Sequence, residues 1–73
     1  MGQFQVEIYS PEGDPVVNQH FDAPLAIAGG QEIAASGLGR AGHRAVVTRV
    51  MHLFLPDGGY KQMVHTVWQE IES

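Results

Sequence analysis

The sequence predicts an α+β fold: four antiparallel strands in the order β-β-α-β-β, with one helix packed on one face of the sheet. Three observations carry that expectation. Strand-like runs at 45–55 and 60–71 flank Pro56-Asp57-Gly58-Gly59, whose Asp-Gly and Gly-Gly steps supply the positive φ of a tight hairpin. Residues 3–10 alternate apolar and polar, the period of a half-exposed strand. Between them, Asp22-Ala23-Pro24 opens a run to Ser36 in which small apolar residues recur at helical spacing.

In the first strand Phe4, Val6 and Ile8 share one face, with Gln3, Gln5 and Glu7 on the other. The segment Pro11-Glu12-Gly13-Asp14-Pro15 reads as a turn, and 16–21 as a weaker second strand. A four-residue loop closed by Ser10 and Pro15 sets Ile8 opposite Val17, Val6 opposite Gln19 and Phe4 opposite Phe21. A three-residue loop would set Asn18 and His20 against Val6 and Phe4, a poorer core, so the longer loop is expected.

The predicted helix has Pro in its first turn, where the missing N–H costs nothing, and Asp22 at its positive end. Ala23, Ala26, Ile27, Gly30, Ile33, Ala34 and Gly37 fall on one side of it. Gly29 and Gly30 each cost about 0.8 to 1 kcal/mol relative to Ala in a helix interior, so this helix depends on tertiary contacts. Gly37 is its natural C-cap.

With an even loop, the second hairpin has two apolar faces. One carries Val47, Met51, Leu53, Leu55, Tyr60, Val64 and Trp68, interrupted by Arg49, Gln62 and Thr66; its bulk suits a position beneath the small-residue helix. The other carries Val50, His52, Phe54, Met63, His65, Val67 and Ile71, together with Val46, Thr48 and Gln69. One helix covers only one face, so this second set is the expected interaction face, and self-association through the sheet its simplest cover. An odd loop would mix the two sets.

Bulk properties agree with an associating single domain spanning 1–73. A chain this short buries only about 60% of the surface its unfolded form exposes. Short domains lean on disulfides, a metal or oligomerisation, and the sequence has no cysteine. No apolar run approaches the roughly 20 residues that span a bilayer, and the first residues lack a basic or hydrophobic signal region, so a cytoplasmic protein is expected. Charge is lopsided: residues 1–39 hold Glu7, Glu12, Asp14, Asp22 and Glu32 without a cation, whereas 40–65 hold Arg40, Arg44, Arg49 and Lys61 against Asp57 alone. These halves are expected to neutralise each other within the fold or between subunits.

Motifs for chemistry are sparse. The loop Gly37-Leu38-Gly39-Arg40-Ala41-Gly42-His43-Arg44 could offer Arg40, His43 and Arg44 to an anion, but phosphate loops follow a strand and open a helix, the reverse of this context. None of His20, His43, His52 and His65 makes an HxH or HExxH spacing; His52 and His65 would be cross-strand or diagonal neighbours in either even register. No carboxylate pair and no nucleophile elbow is present. No catalytic residue, metal ligand or cofactor site is assigned, and no enzyme activity is expected. The leading expectation is a small non-enzymatic protein-interaction module, accessory or regulatory, homodimeric through its sheet. The alternative is a nucleic-acid-associated protein using the basic 40–61 segment, against which the net charge of −4 argues. A third is a small-ligand or metal binder at His52 and His65.

Overall fold

A computed structural model of the chain describes residues 4–71. Five strands form one curled, mixed sheet: β1 (Phe4–Tyr9), β2 (Pro15–Phe21), β3 (Glu32–Ile33), β4 (His43–Phe54) and β5 (Tyr60–Glu70), in the order β2-β1-β5-β4-β3. Four-stranded, antiparallel and α+β are therefore all corrected. The described residues contain no helix, hence none long and apolar enough to cross a membrane, and β1 pairs with β5 in parallel while the other pairs are antiparallel.

The first hairpin has the register its alternation predicts, with Phe4 opposite Phe21, Val6 opposite Gln19 and Ile8 opposite Val17. Its loop is not the expected four residues closed by Ser10 and Pro15. Ser10 N–H donates to Asp14 C=O at 2.8 Å and Gly13 N–H to Ser10 C=O at 2.8 Å, so three residues, Pro11-Glu12-Gly13, form it, with Gly13 at φ +96°. Val16 of β2 is an extra residue between the Tyr9–Pro15 and Ile8–Val17 pairs, and this bulge restores the expected pairing despite the shorter loop.

Where a helix was expected, residues 22–31 cross the sheet as irregular chain. The backbone groups a helix would have satisfied internally find partners on the sheet instead. Gln62, 1% exposed on β5, accepts from Leu25 N–H at 3.3 Å and donates its amide N–H to Leu25 C=O at 3.0 Å. Gly30 N–H donates to Val47 C=O at 2.8 Å, and Val47 N–H to Gln31 C=O at 2.8 Å. Gly30 has φ +91°, a left-handed conformation incompatible with a continuing helix and accessible to glycine without strain. Two consecutive glycines and few large apolar residues left the helix too weak to compete.

The core lies on the concave face, where Val6, Ile8, Ala45, Val47 and Val64 are buried beneath Leu38 from the loop before β4. Leu25 and Ile27 of the crossing segment pack on it.

The second hairpin departs from both even-loop registers. Leu55 and Gly59 close it, with Leu55 N–H donating to Gly59 C=O at 2.8 Å and Gly58 N–H to Leu55 C=O at 3.1 Å. Three residues, Pro56-Asp57-Gly58, form the loop between them, and Gly58 has φ +90°. This is a turn followed by a glycine bulge, an odd loop. A second bulge at Thr48 then restores the other parity: Arg49 pairs with His65 but Val47 with Thr66. The half of β4 near the loop is thus turned over relative to the even reading. Val50 and not Met51 faces the core, across from Val64.

Because Thr48 is the extra residue, its deletion leaves every other cross-strand partner unchanged. The variant lacking Thr48 is expected to keep its β-sheet circular dichroism and lose about 0.5–1.5 kcal/mol, the scale of the Thr48 Oγ1 bond to His65 C=O. Urea melts check this; an unfolded variant would show that the bulge is needed to fold.

Candidate functional site

At the loop end of the β4–β5 hairpin, β5 is flanked by β1 through the Phe4–Tyr60 pair, whereas β4 is an outer strand. β3 pairs with Ala45 and Val46, so between Val47 and Phe54 the outer edge of β4 has no neighbouring strand among the described residues. The described molecule measures 46 × 20 × 19 Å with a radius of gyration of 13.0 Å. A compact domain of this length has about 11 Å, so the described residues form an elongated body.

Three consecutive apolar side chains, Leu53, Phe54 and Leu55, are exposed at this end, Phe54 to 77%. Tyr60 organises the concave side there. Its ring lies 5.3 Å from that of Phe54, edge-on to Phe4 at 5.4 Å and stacked on His52 at 5.7 Å, and its hydroxyl hydrogen-bonds His52 Nδ1. Parallel pairing brings Phe4 beside Tyr60, across 56 positions of sequence. Phe4, Pro24, Phe54, Gly58 and Tyr60 line an open cavity of about 420 Å³. Aromatic walls with a few polar tips are the usual lining of a recognition surface.

The convex face differs in character. Met51 pairs with Met63, Arg49 with His65 and Val46 with Val67. Tyr9 stacks on His65 at 5.2 Å and donates its hydroxyl to Glu7 at 3.1 Å. Glu7, buried, also pairs with Lys61. Burial and the hydrogen bond to Glu7 raise the Tyr9 phenol above its ordinary pKa, and the same carboxylate raises the Lys61 ammonium.

The residues expected to form one interaction face are therefore divided. Val50, His52 and Phe54 lie on the concave side; Met63, His65 and Val67 lie on the convex side; Ile71 follows β5 at the far end, its N–H on Gly42 C=O at 3.0 Å. His52 pairs with Gln62 and His65 with Arg49, so the sheet separates the two imidazoles and they do not share a ligand. Among the described residues no group of three or more His, Cys, Asp or Glu is placed to hold a metal ion.

Arg40, His43 and Arg44 do not converge either. Arg40 and His43 bridge the Gly42 turn, and His43 Nδ1 lies 3.0 Å from Ala41 O. Arg44, the next residue along the strand, faces the other side and is held by Gln69 at 3.0 Å and Glu32 at 3.8 Å. The cavity of about 490 Å³ beside it also takes in Glu70, an anion. The ion pairs Lys61–Glu7 and Arg44–Glu32 each join the acidic first half of the chain to the basic second half.

Sequence reasoning missed Phe4, Pro24 and Tyr60 as neighbours of Phe54, because a parallel pairing of the chain's two ends leaves no local pattern. Leu53 and Leu55 were assigned to the covered face by the even register. The signal that could have placed them is Pro56-Asp57-Gly58 itself: Pro, then Asp, then Gly suits a three-residue loop with a glycine bulge. No family model matches this chain, and comparison with curated proteins and with solved structures finds no match.

Proposed function

We propose that this chain is a small non-enzymatic protein-interaction module, accessory or regulatory and cytoplasmic, that works as a homodimer associated through its sheet. The observation supporting this reading is the loop end of the hairpin, where Phe54 is exposed in an aromatic cavity, Leu53 and Leu55 are exposed nearby, and the edge of β4 faces no strand among the described residues. Exposed apolar side chains gathered at one end of a small domain mark association sites. The convex face offers less, since a buried carboxylate, its lysine and a stacked Tyr9–His65 pair occupy much of it. Nucleic-acid association is disfavoured because Arg44 and Lys61, two of the four cations, already have carboxylate partners.

Light scattering on a size-exclusion column tests the reading. At tens of micromolar the molar mass is expected to be about twice the 7.9 kDa of one chain. A single-chain mass at that concentration would overturn it.

A further inference from the structure

We propose that the partner at the hairpin end is a second copy of this chain, joined edge to edge through β4 in an antiparallel two-fold pairing centred on His52. The inference rests on the dimeric reading above and adds the surface, the register and the residues.

Backbone geometry identifies the edge. Leu55 donates its N–H to Gly59 across the hairpin, and successive residues of an antiparallel strand turn their groups to opposite edges. Leu53, Met51 and Arg49 therefore point their N–H and C=O groups at β5, while Phe54, His52 and Val50 point theirs away from it. Backbone bonds from the crossing segment reach β4 at Val47, and among the described residues none outside the ladder reaches Val50, His52 or Phe54. This stretch carries none of the devices that protect a free edge: no Pro, no Lys, no bulge after Arg49 and no inward-pointing charge. The other outer edge, β2, is better guarded. It starts at Pro15, carries Asn18, Gln19 and His20 in succession, and lies close to Gly37 at Val16.

Self-complementarity identifies the occupant. About a two-fold axis at His52, Val50 lies opposite Phe54 of the second copy and His52 opposite its own equivalent. Every outward N–H and C=O of the three residues then meets a partner. Val50 against Phe54 is an aromatic and β-branched pair, a favourable cross-strand combination, and Met51 meets Leu53 on the convex side. Arg49, the sole full charge between Thr48 and Phe54, falls opposite Leu55, so no like charges meet. Centring on Met51 instead would set Phe54 against Thr48, where the bulge disrupts the pattern. An edge strand that pairs with itself in this way also extends both concave floors into one surface, with Phe54, 77% exposed in the single chain, at the seam.

The test uses a proline and two cysteine variants of the whole chain. His52→Pro removes an N–H directed to the free edge and leaves the β5 ladder intact, so it is expected to halve the molar mass while keeping the far-UV circular dichroism. The chain has no cysteine, so single substitutions report contacts without background. A hydrogen-bonded antiparallel pair has its Cα atoms about 5.5 Å apart, inside the range a disulfide bridges. His52→Cys is therefore expected to cross-link to covalent dimer on oxidation, and Met51→Cys to remain uncross-linked. Cross-linking through Met51→Cys but not His52→Cys would overturn the register. A folded His52→Pro variant that keeps the dimer mass would overturn the edge while leaving the dimeric reading intact. A wild-type chain of single-chain mass would overturn both.

Discussion

Replacing Gln62 by Leu is expected to cost about 2–4 kcal/mol, because it strands two backbone groups at once, each worth about 1–3 kcal/mol when unpaired in the interior and toward the lower end at the half-buried Leu25. Gln62 is essentially fully buried, between Val6 on β1 and His52 on β4, and its amide serves Leu25 as a neighbouring strand would, one bond in each direction. Leu cannot reproduce either bond. A chain of this length is stable by roughly 4–11 kcal/mol, so the loss is a large fraction of the whole. Glu is the sharper probe. An ionised carboxylate at this position can accept from Leu25 N–H but repels its C=O, and burial of the charge is costly; the protonated acid can make both bonds. Burial raises the acid's folded-state pKa above its unfolded value, so the stabilisation is present at low pH and is lost as pH rises through the folded pKa. The Gln62→Glu variant should therefore approach wild type near pH 4 and fall behind it at pH 7. Urea melts followed by Trp68, the single tryptophan, measure both variants. Wild-type stability in Gln62→Leu would show that something else holds the crossing segment.

What the sequence disclosed and what it concealed follow the range of the interactions. The pairing of the first hairpin was legible, because Phe4, Val6 and Ile8 alternate cleanly and a one-residue slip would turn Val17 and Phe21 away from them. Its loop was not, since a three-residue turn and a bulge at Val16 together give the pairs a four-residue loop would have given. On β5 the covered side was also legible: Tyr60, Gln62, Val64, Thr66 and Trp68 do share the concave face. The near half of β4 was not, since an odd loop and a bulge at Thr48 each reverse the parity, and their combined effect cancels only beyond Val47. In the sequence Gln62 only interrupts an apolar face, although in the fold it is the residue that fastens the crossing segment. The helix expectation came from Asp22 and Pro24, sound local start signals that long-range bonds from Gln62 and Val47 override. The pairing of β1 with β5, which builds the aromatic cavity around Tyr60, joins distant segments and has no local signature.

Val64→Ala carries the second large expected loss and tests the parity of the sheet. Val64 is fully buried where the parallel and antiparallel ladders meet, paired with Ile8 of β1 on one side and Val50 of β4 on the other. Removing two methyl groups forfeits about 1.6 kcal/mol of transfer free energy at about 0.8 per carbon. The cavity left behind brings the total to about 2–3 kcal/mol, because a strand hydrogen-bonded on both edges cannot collapse into the gap. At about 4–8 °C per kcal/mol for a domain of this size, Tm should fall by roughly 8–24 °C. Val67→Ala, on the same strand but facing outward with 45% of its surface exposed, should change stability by no more than about 0.5 kcal/mol. The same chemical change at two valines three positions apart thus separates this sheet from one turned over. Equal losses at Val64 and Val67 would mean that β5 buries both faces, and a larger loss at Val67 would mean that the core lies on the other side.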